Sequence, residues 1–350
     1  MGSTQYKELW SSLREKSKRI EASMDVLQRK RTGSYYTDLT LTDAMMRELV
    51  EQLTANNPGK KLCEYRFLEP CVGTGNFVFS YLKAAKTAGI DQGDAEVMLH
   101  HIYVADINAE VIDGYKESLK EIAASFWGIQ LSDSYFQSHI GSGLLVDVTA
   151  THLDYIPISQ VFPPEVIGKG LDIVATNPPF KNLKAERGQY GNEQEYNRDK
   201  EKYSAISKIV SKRFRYSTNG ILNLYKLFVE EIVDRYANET AFISLLIPSS
   251  ILSDKTCAKL RTHMLLDSRW ISAKVLGEGS GYIDAQQALC AVLLQKGRKT
   301  DHLAVVKDSC NHPEDTAFIP LRDILNEPNG NAIVAVSAKE YQILKKLRQF

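Results

Sequence analysis

From residue 65 onward the chain alternates short apolar runs with longer amphipathic ones, and this alternation limits the fold more than any other feature. YRFLEP (65–70) reads as a strand, and NFVFSYLKAAKTAG (76–89) as a helix stopped by Gly89. HIYVADI (101–107) is a second strand, followed by a helix to about residue 124. Further strands are expected near 138–146 and over LDIVAT (171–176). ILNLYKLFVEEIVDRYA (221–237) reads as a helix, ETAFISLLIP (239–248) as a buried strand, and ISAKVLG (271–277) with ALCAVLLQK (288–296) as a closing pair. Strands separated by helices are joined by crossovers, so the expectation is an α/β fold whose mostly parallel sheet is covered on both faces. The short link between the last two strands adds an antiparallel member at the sheet edge.

Before this regular stretch, Leu9, Leu13, Ile20, Met24 and Leu27 form one apolar stripe of a helix within residues 5–30. The polar RTGSYYTD follows, and then a helix over about 40–54 with Thr40 or Thr42 as N-cap. Residues 181–220 read as a polar insertion without sustained periodicity, the kind of long loop that serves as a lid or stays disordered. Residues 338–350 read as an amphipathic helix with Tyr341, Leu344 and Leu347 on one side and no terminator. Three regions are expected: an N-terminal helical extension and closing segment over 1–55, a main domain over 56–300 carrying the 181–220 insertion, and a C-terminal extension over 301–350 that begins a further module.

Composition narrows the class. Apolar residues make up 43% and charged residues 25% of the 350 positions, ordinary values for a globular protein. No apolar run reaches the roughly 18–20 residues of a membrane span, and the N-terminus lacks the apolar core of a secretory signal. The five cysteines, Cys63, Cys71, Cys257, Cys290 and Cys310, form no CxxC pair and read as reduced thiols of a cytoplasmic protein without a metal site. Net charge is zero, yet residues 181–216 carry ten Lys or Arg against five Asp or Glu, and residues 1–34 carry eight against four. Such local excess suits phosphate contacts, although charge alone equally describes solvated segments.

Three motifs carry chemistry. In FLEPCVGTGNFV (67–78) a strand ends at Glu69-Pro70, a turn contains Gly73 and Gly75, and a helix begins at Asn76. Glycines there let backbone amides approach a ligand closely. Val78 stands where a dinucleotide fingerprint needs glycine, and Glu69 would repel a pyrophosphate while favouring a cationic ligand. Asp106, at the carboxyl end of the second strand, suits a ribose of either kind of cofactor, or else a helix cap. The decisive motif is Asn177-Pro178-Pro179-Phe180, directly after a buried strand. Proline fixes its own φ and confines the residue before it to extended backbone. An Asn oxygen and a backbone carbonyl then lie beside an aromatic ring. That set suits an exocyclic amine on a base: two acceptors draw its nitrogen towards tetrahedral geometry, and the ring offers a stacking face.

With these motifs, in this order, the chain resembles the gamma-type N6-adenine DNA methyltransferases of restriction-modification and phage-defence systems. The resemblance covers about residues 30–297: GSYYTD (33–38) is similar to the family's closing segment, LEPCVGTGNF to its cofactor loop and NPPF to its catalytic tetrapeptide. It implies a Rossmann-like class I methyltransferase fold with a mostly parallel seven-stranded sheet, an antiparallel edge strand and an N-terminal helical extension. It also implies S-adenosylmethionine as cofactor, held by Tyr35, Tyr36, Thr37, Glu69, Pro70, Gly73, Gly75, Asn76 and Asn177. Asp106 would take the ribose, Ile107 would pack on the cofactor's adenine, and Ser142 would stand where the family places a polar contact to that adenine. Asn177 and the Pro178 carbonyl would bind the target amine, with Pro179 stiffening the turn. Phe180, together with Tyr282, would stack on the flipped base.

Three departures stand out: Asp38 replaces a usual Pro, which slightly loosens the closing segment, Phe180 replaces the more frequent Tyr, and Ser142, in GSGLL (141–145), stands where the family often has an acid or Asn. The expected activity is methyl transfer from S-adenosylmethionine to N6 of adenine in a specific sequence of double-stranded DNA, with a specificity or restriction subunit as a further partner and neither metal nor membrane involved. The alternatives are a methyltransferase of protein glutamine or RNA amino groups, and a methyltransferase-like DNA-binding subunit without activity. A hydride-transferring dinucleotide enzyme is disfavoured by Glu69 and Val78.

Overall fold

The computed structural model describes residues 3–23, 37–144, 161–163, 168–278 and 287–347. They group into two compact units, one built from residues up to 177 and the other from 178 onward.

The first unit is a parallel sheet in the order β3-β2-β1-β4, formed by β1 (Phe67–Glu69), β2 (Ile102–Asp106), β3 (Gln137–Ile140) and β4 (Leu171–Thr176). Every residue of β1 and β4 is buried, as expected for strands covered on both faces. Helices α1 (Ser3–Ser23), α2 (Leu39–Asn56), α3 (Asn76–Thr87), α4 (Gln92–His100) and α5 (Ala109–Trp127) complete this unit.

Of the expected stripe on α1, Leu13 is buried and Leu9 and Ile20 are half-buried, while Met24 and Leu27 lie outside the described residues. The buried face runs through Trp10, Leu13 and Ser17. Tyr6, Trp10 and Phe126 stack at centroid distances of 5.2–5.9 Å, and Trp10 Nε1 donates to Asp43 at 3.1 Å. Ser17 Oγ donates to Thr74 Oγ1 at 2.9 Å, so the extension touches the glycine turn directly.

Helix α2 is capped by Asp38 and not by Thr40 or Thr42. The Asp38 carboxylate accepts from Thr40 N–H at 2.7 Å, and Asp38 itself is extended. An acidic cap also meets the positive end of the helix dipole. Thr42 is buried instead, its hydroxyl bonded to Ser80 Oγ at 2.8 Å.

The second unit holds β5 (Ala237–Pro248), β6 (Ser268–Leu276), β7 (Leu289–Lys296), β8 (His302–Val306) and β9 (Thr316–Pro320) in the order β5-β7-β6-β8-β9. The sheet strands therefore number nine, not seven. The pairs β5/β7, β6/β7 and β8/β9 are antiparallel and β6/β8 is parallel, so the antiparallel part is larger than one edge strand. The two added strands are short, alternate buried with exposed residues, and flank a polar turn; Pro320 ends the outermost one, where a missing N–H costs no ladder bond.

The 181–220 stretch is not an irregular loop. It contains α6 (Glu193–Arg213), which is capped by Asn192, has Glu193 and Glu195 in its first turn, and Lys212 and Arg213 in its last. Tyr203, Ile206 and Val210 are its buried stripe. Its end is pinned to α7 (Leu224–Glu231): Glu230 accepts the backbone N–H groups of Arg215, Tyr216 and Ser217 at 2.6–3.0 Å, and Glu231 pairs with Arg213 and Arg235. Five residues of wider π-type turn, Ile232–Tyr236, extend α7 to the start of β5.

The turn after β3 presses on the turn after β1. A Cβ placed on Gly143 would lie 1.7 Å from the Pro70 carbonyl oxygen, so only glycine fits. Gly143→Ala should cost about 3 kcal/mol, because one backbone must move to admit the methyl group. Asp38→Ala should cost only about 1 kcal/mol, a typical value for a lost cap. Denaturant unfolding of the two variants checks both values and their ranking.

Candidate functional site

At the carboxyl end of β1, Glu69 leads into the turn 70–75. Gly73 and Gly75 both have positive φ, 51° and 86°. Gly75 caps α3 in the left-handed conformation, and a Cβ there would also strike Phe79 at 2.5 Å and Tyr115 at 2.7 Å. The turn is tied to β2 by Val72 N–H donating to the Ala105 carbonyl at 2.9 Å.

Two acids face this turn. Glu69 is 2% exposed, and its Oε2 has no hydrogen-bond partner among the described residues. Burial pushes its carboxyl well above the ordinary range; the Val78 N–H pulls the other way and the nearby Asp106 adds to the rise. Asp106 accepts from Gly73 N–H through one oxygen and from Asn108 N–H through the other, both at 3.0 Å. Burial raises its pKa as well, with those backbone donors opposing the rise. Asp106 is not the cap of α5; that position belongs to Asn108, which accepts from Glu110 N–H at 2.9 Å.

Thr37 joins two of the motifs. Its carbonyl accepts from Asn76 Nδ2 at 2.6 Å, and its hydroxyl oxygen accepts from Asn177 Nδ2 at 3.0 Å. One cleft is lined by Thr37, Glu69, Gly73, Asn76 and Asn177, all of them residues that the motifs single out, and by Cys71, Val72, Thr74 and Phe77, to which sequence reasoning gives no role. The latter four lie within FLEPCVGTGNFV, and their position in its turn is the signal that could find them. Burial and the neighbouring Asp106 and Glu69 raise the Cys71 thiol well above its usual pKa, making it an inert wall.

Of the other named residues, Pro70 borders Gly143 as described and Ile107 follows Asp106 with its side chain 58% exposed. Ser142 Oγ accepts from Leu144 N–H at 3.3 Å. Tyr35, Tyr36 and Tyr282 lie outside the described residues. Among the described residues no cluster of His, Cys, Asp and Glu could hold a metal ion.

In the second unit, Pro178 is buried, whereas Pro179 and Phe180 are half-buried. The Phe180 ring meets Tyr225 edge to face, with centroids 6.3 Å apart at 86°. Tyr225 is itself fixed by its hydroxyl, 3.1 Å from Ser250 Oγ and 3.3 Å from Cys257 Sγ. Just beyond Phe180, Leu224 N–H donates to the Lys181 carbonyl and Leu183 N–H to the Leu222 carbonyl, each at 2.8 Å. These bonds tie the chain after the tetrapeptide to the start of α7. Nothing in the sequence around Tyr225 marks it for this bracing role.

Comparison with known proteins gives a consistent picture. Among solved structures the fold matches a DrdV–DNA complex with a TM-score of 0.62 at 13% identity, over 85% of this chain and 30% of that one. A nuclease-deletion mutant of the Type ISP restriction-modification enzyme LlaGI, in complex with a DNA substrate mimic, matches with a TM-score of 0.57 at 14% identity, over 77% of this chain and 24% of that one. The Type IIL restriction-modification enzyme MmeI in complex with DNA matches with a TM-score of 0.53 at 13% identity, over 88% of this chain and 43% of that one. The chain thus spans less than half the length of each, and the likeness is one of fold. No curated protein matches the sequence. The sequence model of the Eco57I restriction-modification methylases matches residues 100–276, just over half of the chain, from the start of β2 to the end of β6. With that match, the chain belongs to the Eco57I restriction-modification methylase family.

Proposed function

We infer that this chain transfers a methyl group from S-adenosylmethionine to the N6 amino group of adenine in double-stranded DNA. The observation that carries this reading is the cleft in which a buried Glu69 oxygen without a partner and the amide of Asn177 both stand. A buried carboxyl with a raised pKa gains most from a cationic ligand, and Asn76 Oδ1 is a second buried acceptor without a partner among the described residues. Those acceptors fit the ammonium-bearing end of S-adenosylmethionine. Gly73 and Gly75 leave room for it, Asp106 is placed to take its ribose, and Ile107 offers an exposed apolar face to its adenine. Pro70 and Ser142 border the same turn, while Tyr35 and Tyr36 are proposed to close over it.

When bound, the cofactor supplies an electrophilic methyl group on a cationic sulfur. The chain's own residues act on the acceptor. Asn177 Oδ1 and the Pro178 carbonyl accept the two N–H groups of the adenine amine, which directs the nitrogen lone pair away from the ring. Pro179 keeps this turn rigid. Phe180, braced by Tyr225, stacks on the extruded base, with Tyr282 as a second proposed wall; stacking offsets the few kcal/mol that extrusion costs. The exposed basic side chains of α6, among them Arg198, Lys200, Lys208 and Lys212, supply phosphate contacts. Sequence selection is assigned to a specificity or restriction partner.

Incubation of the chain with duplex DNA and S-adenosylmethionine, followed by mass spectrometry of the nucleosides, should yield N6-methyladenine. Asn177→Ala should slow turnover about 10²–10³-fold, the usual loss for one positioned hydrogen-bonding group at a reacting atom. Phe180→Ala should weaken capture of the base by about 1–3 kcal/mol. S-adenosylhomocysteine affinity, measured by calorimetry, should change little in either variant. Parental turnover by Asn177→Ala would make the tetrapeptide structural.

Glu69 adds a pH signature. Burial raises its pKa, and a cationic group favours its ionised form, so binding of such a group releases a proton. Affinity for S-adenosylhomocysteine, whose amino-acid end carries an ammonium group, should therefore fall as pH drops through that raised pKa, above the ordinary value of 4.5. Glu69→Gln should bind weakly and lose this dependence. A pH-independent wild type would remove Glu69 from the ligand.

A further inference from the structure

Thr37 is 5% exposed and held from three sides. Asp38, the next residue, starts α2; the Thr37 carbonyl is bound by Asn76 at the start of α3; the Thr37 hydroxyl is bound by Asn177 at the end of β4. These are different bonds from different atoms of one residue, so they can be separated experimentally. A carboxamide carries two donors on its nitrogen and an acceptor on its oxygen, and only the oxygen serves an incoming amine. A bond from Nδ2 to Thr37 Oγ1 keeps the nitrogen turned towards Thr37 and the oxygen turned away from it. The backbone of Asn177 is restricted by Pro178, and the bond to Thr37 adds a restraint on the side chain.

We propose that Thr37 is a positioning residue for the methyl acceptor: its hydroxyl holds the Asn177 amide in the orientation that receives the target amine, while its carbonyl independently fixes Asn76 at the cofactor turn. This rests on the function proposed above and adds to it a role distinct from holding the cofactor. Through these two bonds the cofactor turn and the amide are set together.

The test separates the two bonds. Thr37→Val removes the hydroxyl and keeps the shape and the carbonyl. Turnover should fall about 10-fold, the upper range for a single lost hydrogen bond, with KM for DNA and affinity for S-adenosylhomocysteine nearly unchanged. Thr37→Ser should restore most of the turnover. The double variant Thr37→Val/Asn177→Ala should be no slower than Asn177→Ala alone, since Thr37 acts through that amide. The Asn177 side-chain amide resonances, identified by their loss in Asn177→Ala, should shift and exchange faster in Thr37→Val and recover in Thr37→Ser, with or without cofactor. Parental turnover in Thr37→Val would overturn the proposal, as would a loss that adds in full to Asn177→Ala or one that appears only as weaker S-adenosylhomocysteine binding. A wild-type chain that forms no N6-methyladenine would overturn the proposed function itself, and Thr37's part in transfer with it. That outcome is distinguished by the blank parental reaction.

Discussion

Parallel pairing of β1 with β2 on one side and β4 on the other is the constraint from which the site follows. Phe67 stands opposite Ile102 and also opposite Ile173, so all three strands run the same way in close register. Their carboxyl ends consequently meet at one rim, and Glu69, Asp106 and Asn177 arrive there from sequence positions far apart. Parallel strands are buried on both faces, which leaves the rim as the natural place for polar groups. The acids there are costly: each is buried enough to have its pKa raised. Their cost is offset only in part by backbone donors from the turn, and the remainder is available to a ligand that brings positive charge.

Much of this arrangement is legible in the amino-acid sequence. Strands β1, β2 and β4 of the first unit are mainly apolar runs with the motif residues at their ends, whereas β3 (QSHI) is polar and partly exposed. The proline pair announces a rigid turn because its effect on φ is local and independent of context. What escapes the sequence depends on context. Helix α6 is mostly polar, and its buried stripe of Tyr203, Ile206 and Val210 is sparse enough to be lost among six basic residues. β8 and β9 are five residues each and become strands because a neighbour supplies their ladder bonds. The cap of α2 is decided by one turn chemistry winning over another, Asp38 over the threonines that follow it.

Thr37 shows a third kind of limit. Its neighbours in sequence mark it as part of a tyrosine-rich segment, but its bonds to Asn76 and Asn177 join residues 39 and 140 positions away. No periodicity or local propensity encodes such a pairing. The same holds for Tyr225, whose ring braces Phe180 from a helix that reads only as amphipathic. Within each unit, residues that announce themselves by motif are thus held still by residues distant in sequence.

The order β5-β7-β6 has a consequence for synthesis. β7 lies between β5 and β6, so neither of the two earlier strands has a partner in its own unit until residues 289–296 have been made. A ribosome adding about 5–20 residues per second leaves AFISLLIP of β5 without its antiparallel neighbour for several seconds. That segment is almost wholly apolar, and its open β7-facing edge is a template for pairing with another chain. During translation the second unit is thus exposed to association between nascent chains, and its yield in a cell should depend on chaperones that shield β5 until β7 emerges.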